Sequence, residues 1–258
     1  MTIIGIDIAK RWFDCFCTTR SIARPFPNTP IGWKKFLTWT EGAAHIVMEA
    51  SGPYYLGLAT YLYEQGMAVS VVNPLVIHRY GQMKLTRTKT DASDAMLIGR
   101  YGIDQQPARW RPPSKVRQAL SQLMSLREGL LRQRSILNGQ AEAFGQNKVE
   151  LLVTKVIQQQ RQHLTDSINQ IDQKMQVLAE THYKQILQAL LTIPGIGKKT
   201  AIMLLIVTDG FDRFDSSRTL ASYVGICPQI WESGSSVKRR GSISKLGFPK
   251  LRKLLYMC

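Results

Sequence analysis

Four carboxylic acids in the first hundred residues have the types and spacing for metal-dependent chemistry. Asp7 stands inside the apolar stretch "IIGIDIA", and Glu49 ends another, "HIVMEA". Asp91 and Asp94 are three residues apart at the start of a helical pattern, so they share one face of that helix. Four carboxylates brought together would repel one another strongly without a cation. We therefore expect them to bind two Mg²⁺ ions, with Mn²⁺ as the alternative, and to serve phosphodiester chemistry.

Each of these acids also has a structural interpretation. Asp91 could be a helix N-cap, Asp94 a favourable first-turn charge, and Glu49 a strand-end residue. The "GIDIAK" strand is also typical of phosphate-binding strands in sugar-kinase-like folds, although the chain lacks a glycine-rich P-loop. The order of the acids within one α/β segment is what favours a metal site.

A serine cluster followed by basic residues, "SGSSVKRR", lies near the C-terminus. It is either a solvated loop or a nucleophile in a phosphate-binding surface. A serine hydroxyl needs a base or a cation to become a good nucleophile, and the four histidines are scattered along the sequence. Metal-assisted activation is therefore favoured over a Ser/His/Asp triad. The residues that could hold the phosphate are Lys238, Arg239, Arg240 and Lys245.

A second candidate phosphate-binding element is "IPGIGKK". Pro194, Gly195 and Gly197 interrupt two helical runs, and Lys198 and Lys199 begin the second run. Backbone N–H groups at a helix start can bind phosphate, and the spacing matches a helix-hairpin-helix element that contacts DNA backbones. A glycine-rich corner between two helices is the structural alternative. We also expect nucleic-acid contacts from the basic residues before the acid pair, which are Lys84, Arg87 and Lys89.

The overall charge indicates a polyanionic partner. The 258 residues carry a net charge of +16, and residues 191–258 contain 11 basic and 4 acidic side chains. Lysine and arginine that displace counterions from phosphates drive association with nucleic acid, whereas a surface charged for solubility is the alternative. The sequence lacks an apolar run long enough for a signal peptide or a membrane span, so we expect a cytoplasmic protein with no membrane partner.

Alternation and helical periodicity predict the elements that must position these residues. We expect strands at "TIIGIDIA", "WFDCFCT", "RPFPN", "HIVMEA" and "AVSVVN". Helices are predicted over residues 30–40, 53–65, 74–83 and 91–102. Strands and helices that alternate in this way indicate an α/β sheet with crossovers.

The middle of the chain predicts two long helices. No proline occurs between Ser114 and Ile193, and Gly139 and Gly145 are expected to flank the break between the helices. An apolar stripe runs along the second helix at alternating steps of four and three: Leu164, Ile168, Ile171, Met175 and Leu178. We interpret it as a coiled-coil seam that serves as a connector and an oligomer contact.

Several motifs, in this order, resemble the DEDD-type insertion-sequence transposases. They are "GIDIAK" with Asp14 seven residues after Asp7, "MEASGPYY", "VVNP", "KTDASDA", "IPGIGKKTA", "ASYVGICP" and "SGSSVKRRGSISKLG". These recombinases include site-specific invertases and enzymes guided by a bridge RNA. The resemblance covers nearly the whole chain.

The resemblance implies a fold and a domain order. Residues 1–104 would form a RuvC-like domain of RNase H fold, and residues 105–190 a helical coiled-coil linker for oligomerisation. Residues 191–258 would form a mainly α-helical transposase domain with the helix-hairpin-helix-like element. This domain ends earlier than is usual in the family, so it is expected to be truncated.

The resemblance also implies roles for particular residues. Asp7, Glu49, Asp91 and Asp94 would be the metal-binding tetrad, and Ser233 the nucleophile that forms a covalent link to DNA, with Ser235 and Ser236 as alternatives. Tetrad and serine would come from different subunits of an oligomer.

The expected function is Mg²⁺-dependent cleavage and exchange of DNA strands by a transposase. Its partners would be double-stranded donor and target DNA, a structured non-coding guide RNA, and further copies of the chain in a dimer or tetramer. One alternative is a hydrolytic nuclease of the Holliday-junction type. The other is an inactive remnant that binds nucleic acid.

Overall fold

The computed structural model describes residues 2–40, 44–85, 90–146, 149–229, 232–233, 237–238, 242–244 and 246–258. The chain divides into two compact units, Met1–Pro112 and Pro113–Cys258. The described helices and strands make the protein mixed α/β, in agreement with the sequence. None of the described helices is long and apolar enough to cross a membrane.

The first unit is built on a sheet of five described strands. They are β1 (Thr2–Ile8), β2 (Trp12–Cys17), β3 (Ile22–Pro27), β4 (Ala44–Glu49) and β5 (Ala68–Val72). Their spatial order is β3-β2-β1-β4-β5, with antiparallel pairing among the first three and parallel pairing of β1 with β4 and β4 with β5. The strands predicted from alternation are therefore confirmed.

Helices cover both faces of this sheet. Helices α1 (Pro30–Trp39) and α2 (Tyr55–Glu64) pack on the face that carries Ile4, Ile6 and Phe13. Helices α3 (Pro74–Met83) and α4 (Asp91–Gln105) are on the other face, where Ile77 and Ile98 pack against Ile3, Val47 and Val72. Burial on both faces explains why the central strands are apolar throughout. The buried Cys15 and Cys17 are free thiols that pack into the first of these faces.

Local capping chemistry determines where three of these helices begin. The side chains of Thr29 and Asn73 accept hydrogen bonds from the backbone at the starts of α1 and α3, and proline follows each of them. Thr90 and Ser93 form a reciprocal capping box at the start of α4. Such caps satisfy backbone N–H groups that have no partner within the helix.

Helix α4 lies unusually close to strand β1. A Cβ atom added at Gly5 would lie 2.2 Å from the carbonyl oxygen of Ala95 and 2.2 Å from the amide nitrogen of Gly99. Only glycine permits this approach of two backbones. The part of α4 around Ala95 and Gly99 is thereby held against the middle of β1.

The second unit begins with two long helices, α5 (Lys115–Phe144) and α6 (Leu151–Leu191). The guanidinium of Arg127 on α5 donates to both carboxylate oxygens of Asp172 on α6, at 2.5 and 3.0 Å. Gly145 ends α5, as expected. The expectation for Gly139 was wrong because α5 continues through this residue, with no neighbouring atom within 4 Å of the position of an added Cβ.

The apolar stripe of α6 is used inside the chain. Leu164, Ile168, Ile171 and Met175 are buried, and Leu178 is partly buried against the same core. These side chains are covered by the chain itself, and the interpretation of the stripe as an oligomer contact stays a prediction. The coiled-coil-like pairing of two long helices is retained.

Helix α7 (Lys198–Thr208) forms the centre of the second unit, and all its residues from Thr200 to Thr208 are buried. Helices α8 (Ser217–Val224) and α9 (Pro249–Tyr256) complete the described helical part. Two small antiparallel pairs lie between them in sequence. Strand β6 (Pro228–Gln229) pairs with β9 (Ser242–Ile243), and β7 (Glu232–Ser233) pairs with β8 (Val237–Lys238).

Candidate active site

Strand register brings the first two acids together. Ile6 of β1 pairs with Met48 of the parallel strand β4, so Asp7 and Glu49 are the next residues along adjacent strands. Side chains alternate between the faces of a sheet, and both acids therefore point to the face covered by α3 and α4. Both side chains are partly exposed at the end of the strands.

Helix α4 adds the other two acids of the predicted tetrad. Asp91 is its first residue and Asp94 follows one turn later, which places both in the positive first turn of the helix. Burial, and after it the charges of Glu49, Asp94 and Asp91, raise the pKa of Asp7 to about 6. Asp7 is therefore close enough to the other three predicted carboxylates to be repelled by them.

A fifth carboxylate faces the same cluster. Asp14 of β2 lies directly opposite Asp7 in the antiparallel register, so both side chains point to one face of the sheet. Burial, and secondly the charge of Asp91, raise the pKa of Asp14. Asp14 was predicted only as part of a motif and not as a site residue. The signal available in the sequence was the seven-residue spacing of Asp7 and Asp14 across a tight hairpin.

Ser51 positions one of the acids and was not among the predicted site residues. Its hydroxyl donates a 2.9 Å hydrogen bond to the carboxylate oxygen Oε1 of Glu49. A hydrogen bond to a carboxylate restricts its orientation. The sequence "EAS" contained a signal for this contact, because the hydroxyl of a serine two residues after a strand-end acid can donate a hydrogen bond to that acid.

The carboxylates fit a hard divalent cation by their chemistry. Clustered carboxylate oxygens, with like charges that raise the pKa of Asp7, provide the donor type and the uncompensated charge that such an ion would neutralise. Within the part of the chain that the structure describes, no three His, Cys, Asp or Glu side chains form a group that could hold a metal ion. The other acids are thus close enough to Asp7 to raise its pKa, but in the described residues they do not form a complete ligand group around one metal ion.

The predicted nucleophile lies in the second unit of the chain. Ser233 is the last residue of β7 and its backbone pairs with Val237. Lys238 pairs with Glu232 in the same two-stranded element. The side chains of Ser233 and Lys238 lie outside what the structure describes, as do Ser235, Ser236, Arg239, Arg240 and Lys245 entirely.

Lys84, predicted to contact nucleic acid, has partners within the protein. Its ammonium lies 2.9 Å from the carboxylate of Asp104, which also accepts a 2.6 Å hydrogen bond from the hydroxyl of Tyr80. This network joins the end of α3 to the end of α4. Lys84 remains partly exposed, and its role in binding nucleic acid stays a prediction. Arg87 and Lys89 lie outside the described residues.

The "IPGIGKK" turn connects α6 to α7. Gly195 has a φ of +86°, and a Cβ atom added there would lie 2.4 Å from the carbonyl oxygen of Cys258. Gly197 has no atom within 4 Å of an added Cβ and is the N-cap of α7, without a side-chain cap. Lys198 and Lys199 are exposed in the first turn. The backbone N–H groups of this helix start are thus not capped by a side chain.

Two family models match this chain over most of its length. A DEDD transposase model of the IS110 type matches residues 4–144, and the model described as "Transposase IS116/IS110/IS902 family" matches residues 187–258. The first match includes the five carboxylates described above. The second includes the glycine-containing turn and Ser233.

Curated relatives cover nearly the whole chain. A "Pilin gene-inverting protein" of Moraxella lacunata is 37% identical over 99% of this chain and 81% of its own length. Its namesake in Moraxella bovis is 35% identical over the same shares. The "Transposase for insertion sequence element IS1328" of Yersinia enterocolitica is 25% identical over 100% of this chain and 83% of its own length. The chain therefore belongs to the IS110-type family of DEDD transposases, which makes it a DNA-recombining enzyme.

Proposed function

We propose that the protein cleaves and exchanges DNA strands in a Mg²⁺-dependent reaction through a covalent serine–DNA intermediate. The observation that carries this proposal is the raised pKa of Asp7, caused by burial and then by Glu49, Asp94 and Asp91. Mutual repulsion of this kind is unfavourable in a resting protein and becomes useful where a cation and a phosphate must bind.

The carboxylates would hold the metal. Asp7 and Glu49 supply oxygens from adjacent strands, and Asp91 and Asp94 supply them from the first turn of α4. Mg²⁺, or Mn²⁺ in its place, would stabilise negative charge on phosphate and leaving oxygens when bound. Ser51 orients Glu49, and the close approach at Gly5 holds α4 in place. Two ions are proposed because the combined negative charge of four or five carboxylates exceeds the positive charge of one divalent ion.

Ser233 is the proposed nucleophile. Its Oγ would form a bond to phosphorus while the bond between phosphorus and one deoxyribose oxygen breaks, and the serine proton would pass to the surrounding site as the sugar hydroxyl leaves protonated. The phosphoester is conserved in the protein–DNA link, so a second DNA hydroxyl can later displace the serine without an external energy source. Lys238, Arg239, Arg240 and Lys245 would stabilise the charge on the phosphate.

DNA would be held by basic and backbone groups in both units. The uncapped start of α7, with Gly195, Gly197, Lys198 and Lys199, is proposed to contact a DNA phosphate, which is the role of a helix-hairpin-helix element. We propose the same for the basic residues that precede α4, which are Lys84, Arg87 and Lys89. The net charge of +16 supports a large polyanionic partner.

The architecture proposed for this activity is an RNase H-like domain at residues 1–104, a helical linker at 105–190 and a transposase domain at 191–258. An oligomer, as a dimer or tetramer, would allow the serine of one subunit to act with the carboxylates of another. A structured non-coding RNA is proposed to choose the donor and target sites by base pairing. Cytoplasmic localisation follows from this substrate.

A denaturing gel can test the serine mechanism. Full-length protein is incubated with DNA of the element ends, the candidate RNA and Mg²⁺, and a covalent protein–DNA band is expected. Ser233→Ala and Asp7→Asn should each abolish the band. Ser235→Ala and Ser236→Ala are matched controls that should retain it, as should Glu64→Gln at the exposed end of α2.

The same gel separates the alternatives. Cleavage that survives in Ser233→Ala would contradict the serine mechanism and support hydrolysis by water. Absence of cleavage on this gel in any divalent metal, together with DNA binding in a native gel, would support an inactive remnant. Unchanged choice of sites after removal of the RNA would contradict RNA guidance and leave the serine chemistry untouched.

A further inference from the structure

A large aromatic side chain stands exposed in line with the carboxylates. Trp12 is 53% exposed at the start of β2. It precedes Asp14 by two residues, so both side chains point to the same face of the sheet, about 7 Å apart along the strand. Asp14 in turn lies opposite Asp7. The Trp12 side chain therefore lies next to the carboxylate cluster, on the same face of the sheet.

The segment that carries Trp12 is held in place by Asn28. The backbone N–H of Asn28 donates to the carbonyl oxygen of Arg11 at 2.8 Å. The side-chain amide donates to the carbonyl oxygens of Ala9 at 3.0 Å and Tyr54 at 3.2 Å. The indole N–H of Trp33 donates to the amide oxygen of Asn28 at 2.8 Å, which fixes the orientation of that amide.

Asn28 joins the turn that precedes Trp12 to the loop that carries Tyr54. Ala9 belongs to the turn between β1 and β2, and Tyr54 to the loop that follows Glu49 and Ser51. Tyr54 is 42% exposed. One nitrogen atom of Asn28 lies between the carbonyl oxygens of both loops. The rings are thus presented on a fixed backbone, which lowers the entropy cost of binding a ligand.

The charge beside Trp12 fits a nucleotide. Lys10 and Arg11 are exposed in the β1–β2 turn, and neither forms an ion pair with another residue that the structure describes. A cation beside an exposed aromatic ring can bind a nucleotide, because the cation contacts the phosphate and the ring stacks on the base. Lys10 and Arg11 beside an acidic site favour a nucleotide over a partner protein as the ligand, because a protein partner does not require cations at this position.

We propose that Trp12, together with Tyr54 on the neighbouring loop, is a stacking platform for an unpaired DNA base next to the phosphate at the carboxylates. Lys10 and Arg11 would contact the adjoining phosphate. The inference rests on the proposed function, since it assumes that DNA lies across the carboxylate cluster. DNA is favoured over RNA as the occupant because the platform shares a face with the acids that act on DNA.

Equilibrium binding of two DNA duplexes tests the platform with the full-length protein. One duplex carries a single bulged 2-aminopurine, and the other has the same sequence fully paired. Ca²⁺ replaces Mg²⁺ to suppress cleavage. Fluorescence anisotropy gives the affinities, and quenching of 2-aminopurine reports stacking of the bulged base.

Wild-type protein should prefer the bulged duplex and quench its fluorescence. Trp12→Ala should weaken binding of the bulged duplex about tenfold and relieve the quenching, with less than a twofold effect on the paired duplex. Trp12→Phe should retain most of the preference. Ile31→Ala is the matched control, because Ile31 is 70% exposed on α1, a helix that covers the opposite face of the sheet.

Three binding results would overturn the platform: no preference for the bulged duplex in the wild type, equal losses on both duplexes in Trp12→Ala, or an equal loss on the matching bulged RNA. A change of sedimentation coefficient in Trp12→Ala without an effect on DNA would also do so and would assign Trp12 to self-association. The platform and the serine mechanism can fail separately. A wild-type covalent adduct with no Trp12 effect rejects only the platform, whereas a Trp12-dependent preference without adduct rejects only the serine mechanism.

Discussion

Asp14 lies directly opposite Asp7 in the antiparallel pair of β1 and β2, so the candidate site contains five carboxylates and not four. The two side chains occupy the same face, and the charge of Asp91 at the start of α4 raises the pKa of both. Opposed like charges destabilise a strand pair unless something compensates them. This relationship indicates that Asp14 contributes to the field that attracts a cation.

Asp14→Asn should therefore raise the Mg²⁺ concentration needed for half-maximal adduct formation. We expect a change of about fivefold, the size of an interaction of about 1 kcal/mol between partly exposed charges. The rate at saturating Mg²⁺ should change little. A Mg²⁺ titration of wild type, Asp14→Asn and the control Glu64→Gln measures this. Complete loss of activity at saturating metal would instead identify Asp14 as an essential ligand.

The raised pKa of Asp7 predicts how stability depends on pH in the absence of metal. The folded protein keeps the Asp7 proton up to about pH 6, whereas the unfolded chain loses it near 3.8. The contribution to stability is therefore fully present below 3.8 and is lost as pH rises through about 6. Asp7→Asn should consequently stabilise metal-free protein at pH 7.5 by about 1 kcal/mol, after allowance for solvent screening.

Urea unfolding in EDTA at pH 4 and pH 7.5 measures this difference. Tryptophan fluorescence is a suitable probe of the first unit, because Trp12, Trp33, Trp39 and Trp110 all belong to it. Asp7→Asn should gain stability relative to wild type at the higher pH, with a much smaller difference at pH 4. An equal difference at both values would show that charge repulsion is not its cause.

Much of the first unit could be predicted from the sequence because its signals are local. Alternation located the strands, and helical periodicity placed helix starts at residues 30, 74 and 91, where the structure shows the caps Thr29, Asn73 and Thr90. The N-cap alternative for Asp91 was wrong, because Thr90 caps this helix. The grouping of Asp7 with Glu49 rested on one acid inside an apolar strand and another at the end of a second apolar strand. These features depend on a few neighbouring residues, which a sequence displays directly.

The missed features depend on pairing between distant segments. The role of Asp14 requires the register of β1 with β2, and the contact at Gly5 requires knowledge of where α4 packs. The stripe through Ile168 revealed an apolar face without revealing that the chain itself covers it. Gly139 costs an exposed helix only about 1 kcal/mol, which the packing of the long hairpin outweighs.

Ser51 should affect the rate of cleavage through Glu49. Removal of its hydroxyl in Ser51→Ala deletes the 2.9 Å hydrogen bond to the Glu49 carboxylate. We expect adduct formation to slow by about three- to tenfold, because a hydrogen bond to a charged, partly exposed group contributes about 1 kcal/mol. Ser51→Thr should retain most of the rate. Single-turnover kinetics measure both variants, and equal losses in the two would contradict an orienting role of the hydroxyl.

The close approach of α4 to β1 makes Gly5 a sensitive position for activity. The Cβ of Gly5→Ala would lie 2.2 Å from two backbone atoms of α4, so the helix must move away with Asp91 and Asp94. We expect the first unit to lose about 2–3 kcal/mol of stability and adduct formation to fall below detection. Gly99→Ala should be milder, because its nearest contact would be Cγ2 of Thr18 at 3.1 Å.

Gly129→Ala is the matched control for these glycine substitutions. Gly129 lies inside α5, and no atom is within 4 Å of an added Cβ. Alanine is favoured over glycine in a helix, so this variant should be more stable by about 0.5–1 kcal/mol and fully active. Urea unfolding and the adduct gel measure all three variants together. Normal activity in Gly5→Ala, with its stability reduced, would show that the spacing between α4 and β1 does not set the geometry of the carboxylates.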